Sequence, residues 1–140
     1  MIKSGTTQAK LALVVDDSPI QRRVLSRLLE EEGYRVCSAY DGENAVQMYI
    51  SQQPELVLMD INMPVMNGFD ALQEIREKYS GLIVIAQTAF AMAEEKQKCL
   101  NLGCNDYISK PIKKEELFKL VDQHMVSDKT LMHVTHPKPV

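Results

Sequence analysis

Asp16, Asp17, Asp60, Thr88 and Lys110 are the residues of this chain whose types and placement can do chemistry. Each closes a strand-like run. Leu11-Ala12-Leu13-Val14-Val15 leads into Asp16-Asp17, and Leu56-Val57-Leu58-Met59 leads into Asp60. Leu82 to Ala86 leads into Gln87-Thr88, and Asp106 to Ser109 leads into Lys110. An acid at the rim of a greasy strand is hard to explain as packing, so Asp60 reads as the reactive group. Three carboxylates brought together repel one another and require a cation. Mg²⁺ fits best, because it takes one or two carboxylates, keeps waters and leaves a place for a phosphate oxygen. Thr88 offers a hydroxyl beside the small Ala89, and Lys110 a mobile ammonium suited to a phosphate. Singly, these are acids near a helix N-terminus, a turn residue and a surface lysine. Jointly they describe a phosphoryl-transfer site.

The elements that position them can be read in order. Residues 1–9 are polar and expected to be loose, a single folded domain is expected over 10–126, and 127–140 lack a period and read as a flexible tail or linker. After Asp17, Ser18 as N-cap, Pro19 at the first helical position and Gln21 three residues after the cap make a capping-box signature. Ile20, Val24, Leu25, Leu28 and Leu29 supply one apolar stripe, and Gly33 stops the helix. Tyr34 to Ala39 predicts a more polar, edge-type second strand. Ala45, Val46, Tyr49 and Ile50 line the second helix up to Pro54. After Asp60, the turn residues Pro64, Asn67 and Gly68 lead to a helix carrying Phe69, Leu72 and Ile75, which ends near Ser80-Gly81. Ala91 to Leu102 predicts a fourth helix with a weak stripe of Met92, Cys99 and Leu102, stopped by Gly103. Leu117, Leu120, Val121 and His124 line the last helix, leaving Phe118 and Met125 off its stripe, either as a docking face or as solvated surface.

Strand and helix alternate five times, so the fold class is α/β. The expected architecture is a doubly wound, five-stranded parallel sheet of order 2-1-3-4-5 with helices on both faces. In that order the first and third strands are neighbours at the topological switch point, where Asp16, Asp17 and Asp60 meet.

Composition narrows the partners. The length suits one domain, with 45% hydrophobic and 25% charged residues, which excludes global disorder. A net charge of −3 and a pI near 5.6 argue against direct nucleic-acid binding. Cys37, Cys99 and Cys104 have no metal-ligand spacing and read as reduced thiols. No apolar run reaches membrane-span length and no signal peptide is evident, so a soluble, cytoplasmic domain is expected.

Val14-Val15-Asp16-Asp17-Ser18, Met59 to Gly68, Gln87-Thr88-Ala89 and Tyr107-Ile108-Ser109-Lys110-Pro111 together resemble the receiver domain of two-component response regulators, colinearly from about Lys10 to Met125. The resemblance implies a flavodoxin-like receiver fold in which Asp60 accepts a phosphoryl group from a phosphohistidine. Asp17, Asp60 and the backbone carbonyl of Asn62 would bind Mg²⁺ directly, and Asp16 largely through water. Thr88 and Lys110 would contact the phosphate, with a cis Lys110-Pro111 bond. Tyr107 matches the family's switch aromatic, a buried packing role being its rival. It would turn as Thr88 moves inward, and so alter the face of the fourth helix, fifth strand and fifth helix. Asn62 and Phe90 lie where the family tunes phosphate lifetime. The implied partners are a sensor histidine kinase or a histidine-containing phosphotransfer protein, and a phosphorylation-dependent dimer is open to such a domain. The phrase Ile85 to Met92 is similar to receivers of hybrid histidine kinases, so the context stays divided between a stand-alone phosphorelay receiver and a receiver of a hybrid kinase.

Two rivals share the sheet. A haloacid-dehalogenase-type phosphatase needs an acid at position 62, where this chain has Asn. A flavodoxin-like flavin module needs a Ser/Thr/Gly-rich loop where this chain has two acids. No P-loop or Gly-rich nucleotide motif supports a kinase, and His124 has no recognisable phosphodonor setting. The chain therefore reads as a phosphoacceptor switch, catalysing only its own aspartyl phosphorylation and dephosphorylation, rather than as an enzyme with a separate substrate.

Overall fold

A computed structural model describes residues 9–63, 68–78, 81–89 and 92–125. Five strands, β1 (Leu11–Val15), β2 (Arg35–Ala39), β3 (Leu56–Asp60), β4 (Ile83–Thr88) and β5 (Asp106–Ser109), alternate with five helices. These are α1 (Pro19–Glu31), α2 (Gly42–Gln52), α3 (Gly68–Lys78), α4 (Ala93–Asn101) and α5 (Lys114–Met125). All pairings are parallel and the order is β2-β1-β3-β4-β5. The α/β class, the strand order and the edge position of the second strand are as the sequence implies.

Side-chain alternation along the strands divides the core in two. Leu13 and Val15 of β1, Val57 and Met59 of β3, and Val84 and Ala86 of β4 face one layer, built from α2, α3 and α4. Ala12 and Val14, Leu56 and Leu58, Ile85 and Ile108 face the other, where Leu25 and Leu29 of α1 meet Leu117 and Val121 of α5. The three central strands, β1, β3 and β4, are buried on both sides, which is why they read as continuous apolar runs.

The caps are local chemistry. Ser18 Oγ accepts from Gln21 N–H at 3.2 Å and starts α1. Asp41 does the same for α2, through Asn44 N–H at 2.8 Å. At the end of α4, Cys104 N–H donates to Cys99 O and Gly103 N–H to Leu100 O, both at 3.0 Å. That is a Schellman closure with Gly103 at φ +98°, and a Cβ there would sit 3.1 Å from Arg76 Nε.

Several side chains depart from the expected stripes. Ile20 is 77% exposed and Val24 47%, so the buried face of α1 is Leu25 and Leu29, with Leu28 half-buried. Ile50 of α2 is 47% exposed, lying on the shoulder of a face centred on Ala45 and Tyr49. Met92 is exposed at the N-cap of α4, where it precedes the first helical turn. Phe118 and Met125 are half-buried and pack on the α1/α5 core rather than forming a separate docking face. At 100° per residue they lie on one shoulder of the Leu117/Val121 line, close enough to reach the sheet. Pro64, Asn67, Ser80 and Phe90, the side chain of Phe69, and the two ends of the chain (1–8 and 126–140) lie outside the described residues. Among the described residues, no helix is long and apolar enough to cross a membrane.

Candidate active site at the carboxyl rim of the sheet

Strand parity explains what faces the site. Asp16 continues the side of Ala12 and Val14, Asp60 that of Leu56 and Leu58, and Lys110 that of Ile108. Where apolar partners run out at the strand ends, these three polar side chains converge. Lys110 Nζ lies 3.0 Å from Asp60 Oδ2 and 3.3 Å from Asp16 Oδ2. The Lys110-Pro111 bond is cis, and Lys110 N–H donates to Thr88 O at 2.8 Å. One carboxylate oxygen from each of Asp16, Asp17 and Asp60 lies within 4.8 Å of the others.

Burial makes this arrangement costly. Asp16 is 0% exposed and Asp60 1%, whereas Asp17 is open to solvent. Asp60 Oδ1 accepts from Asn62 N–H at 2.9 Å, and Asp16 Oδ1 from Ser18 N–H at 2.9 Å. Asp16 Oδ2, although ion-paired, receives no hydrogen bond of good geometry. Loss of solvent, followed by the neighbouring Asp60 charge, pushes the Asp16 carboxyl above its ordinary range, although the Ser18 N–H and Lys110 act against the shift. Burial alone would lower the Lys110 ammonium, but its hydrogen bonds and charge interactions with Asp60 and Asp16 outweigh that and raise it.

Thr88 has the opposite parity and faces the α4 layer. Its hydroxyl donates to Glu95 Oε1 of α4 and lies 3.4 Å from Asn62 Oδ1. Asn62 Oδ1 also accepts from Ala89 N–H at 3.0 Å, and Asn62 Nδ2 lies 3.4 Å from Glu95 Oε2. Tyr107, half-buried, packs on the α2/α3/α4 core with Lys96 Nζ 4.8 Å above its ring. The sequence pattern assigns no role to Glu95, Arg22 or the strand-end Gln87. Gln87 is fully buried and donates from Nε2 to Val15 O at 3.2 Å, tying β4 to β1 across β3. Arg22 donates to Asp16 O at 2.8 Å. A signal existed for Glu95 alone, as an acid in the first turn of a helix that follows a strand-end threonine.

Three hard oxygen donors, from a cluster in which Asp16 Oδ2 is buried and short of hydrogen bonds, fit a small divalent cation. The same rim carries an ammonium, on Lys110, and a hydroxyl, on Thr88, of the kinds that can donate to an oxyanion. Residues 12–122 match the response regulator receiver domain. The chain belongs to that family.

Relatives of this receiver differ in setting. Over 102 residues it is 44% identical to the sensor histidine kinase RcsC of Escherichia coli K12, covering 73% of this chain but only 11% of the kinase's length. It is 38% identical to the chemotaxis protein CheY of Halobacterium salinarum, over 81% of this chain and 94% of that protein. Among solved structures, the receiver domain of the sensor histidine kinase PA1611 from Pseudomonas aeruginosa PAO1 superposes with a TM-score of 0.74 at 36% identity, over 82% of this chain and 96% of that one. That structure has a magnesium ion coordinated in its active-site cleft. The receiver is thus a module of two-component phosphorelay signalling, with homologues both as free proteins and within histidine kinases.

Proposed function

We propose that residues 10–126 act as a phosphoryl-acceptor switch in the cytoplasm, with Asp60 as the acceptor. The observation that carries this reading is the convergence of Asp60, Asp16 and Lys110 at a buried rim, with the Asp17 carboxylate beside them. An oxygen of Asp60 attacks the phosphorus of a phosphohistidine on a sensor kinase or phosphotransfer protein. The P–O bond forms, the P–N bond breaks, and the imidazole leaves. Asp17, Asp60 and the Asn62 carbonyl would hold Mg²⁺, with Asp16 acting through water; when bound, the ion neutralises charge on the transferring group. Lys110 exchanges its carboxylate partners for phosphoryl oxygens, keeping its charge where the negative charge has moved. Thr88 donates to another phosphoryl oxygen. Its movement admits Tyr107 and alters the α4-β5-α5 face, for partner binding or for pairing with a second copy. Water later attacks the same phosphorus, which resets the switch without a separate substrate being turned over.

The test is intact mass after incubation with Mg²⁺ and acetyl phosphate. The expected result is a gain of one phosphoryl group in the wild type, none with a chelator, and none in Asp60→Asn. A labelled Asp60→Asn, or a wild type that stays unlabelled, sinks the assignment.

A further inference from the structure

Among the described residues, Glu95 is a carboxylate in contact with Thr88 to which the mechanism above gives no task. It is the third residue of α4, after an N-cap, Met92, that supplies no side-chain cap. An acid at that position ordinarily serves the start of its own helix. Here its two oxygens reach the rim instead, one accepting from the Thr88 hydroxyl and the other 3.4 Å from Asn62 Nδ2. A single carboxylate therefore joins α4, the end of β4 and the loop after β3. A threonine hydroxyl has one proton to give. While it is held by a carboxylate, a charge-assisted and therefore strong acceptor, it cannot also be given to a phosphoryl oxygen on Asp60.

Resting on the acceptor role of Asp60, we infer that Glu95 is a positioning residue, a latch that keeps the Thr88 hydroxyl on the α4 side of the unphosphorylated receiver. A phosphoryl group on Asp60 must win Thr88 from Glu95. Once freed, the Glu95 carboxylate faces a new anion across the threonine side chain, and like charges at short range repel. The first turn of α4 takes up that repulsion. Lys96, the next residue, lies over the Tyr107 ring, so the same turn carries the change to β5. The latch thus sets how readily the site accepts a phosphoryl group and which helix responds.

The experiment titrates the full chain with beryllium fluoride in saturating Mg²⁺, as an unreactive stand-in for the phosphoryl group, and follows the Thr88 and Ala89 amides by NMR. Glu95→Ala removes the latch, and Glu95→Asp keeps the charge but shortens the reach. Both should bind beryllium fluoride about tenfold more tightly than the wild type, which corresponds to about 1.4 kcal/mol, the scale of one charge-assisted hydrogen bond. A gain of this kind is not produced by structural damage. Equal or weaker binding by Glu95→Ala overturns the latch, and so does wild-type behaviour of Glu95→Asp. Acetyl phosphate labelling separates this failure from that of the parent reading. A labelled wild type with unchanged Glu95 variants removes only the latch, whereas an unlabelled wild type removes both.

Discussion

The two ends of the sheet use polar residues in opposite ways. At the amino-terminal ends of the strands, Glu55 Oε1 accepts from Leu11 N–H at 2.7 Å. Asn105 Oδ1 accepts from Val84 N–H at 2.8 Å and from Arg76 at 2.9 Å, and Arg76 also donates to Gly103 O. Each side chain there completes a ladder or a turn that the backbone left open. The acids near Tyr34, namely Glu32, Glu55 and Asp122, are at least partly exposed. At the carboxyl ends, Asp16 and Asp60 are buried beside one another and an Asp16 oxygen lacks a hydrogen bond. Among the described residues, the first end is closed and satisfied. The other is held short of satisfaction, and that shortfall is what a cation and an oxyanion can relieve.

Substitutions at the two ends should therefore differ in sign. Asn105→Ala strips Val84 N–H and Arg76 of an acceptor and should cost about 2 kcal/mol, lowering the thermal midpoint by on the order of 8 °C. An unchanged midpoint would show that the amino-terminal end is not a structural closure. Asp16→Asn should do the reverse in metal-free protein, raising stability by about 1 kcal/mol as relief of functional strain. It should also weaken Mg²⁺ binding by about tenfold. The sign follows from linkage. The Asp16 carboxyl is raised in the fold by burial first, so the stability contributed by its protonated form is present below its ordinary 3.8 and is lost as pH rises through the higher folded value. At neutral pH the folded protein carries that loss, and the Asn variant does not. Calorimetric scans without metal that show destabilisation by Asp16→Asn would erase the contrast.

The smallest effect belongs to Tyr34. Burial first, and then Asp122, Glu32 and Glu55, push its phenol up to about 12 from 10.0. Its protonated form contributes stability that is intact below pH 10 and lost as pH rises through about 12. Tyr34→Phe should match the wild type at neutral pH to within about 0.5 kcal/mol and should lose less stability above pH 10. Parallel stability curves across that range would mean that the tyrosine is not protected by its surroundings.

The amino-acid sequence by itself determined a good deal. Buried parallel strands must be apolar along their whole length, so Leu11–Val15, Leu56–Met59 and Ile83–Ala86 declare themselves, and the polar residue ending each run marks the rim. The cap at Ser18 and the stop at Gly103 are equally local. The helix faces were less legible, because Ile20 and Val24 have the right spacing but extend beyond what the sheet covers. Only the tertiary structure decided that Glu95 spends its charge on Thr88 and Asn62 rather than on its own helix, and that Asp16, although beside Asp17, is wholly buried while its neighbour is open. Periodicity records which side of an element a residue is on. Which groups meet across elements depends on how helices and strands are brought together, and a single chain read in order carries no term for that distance.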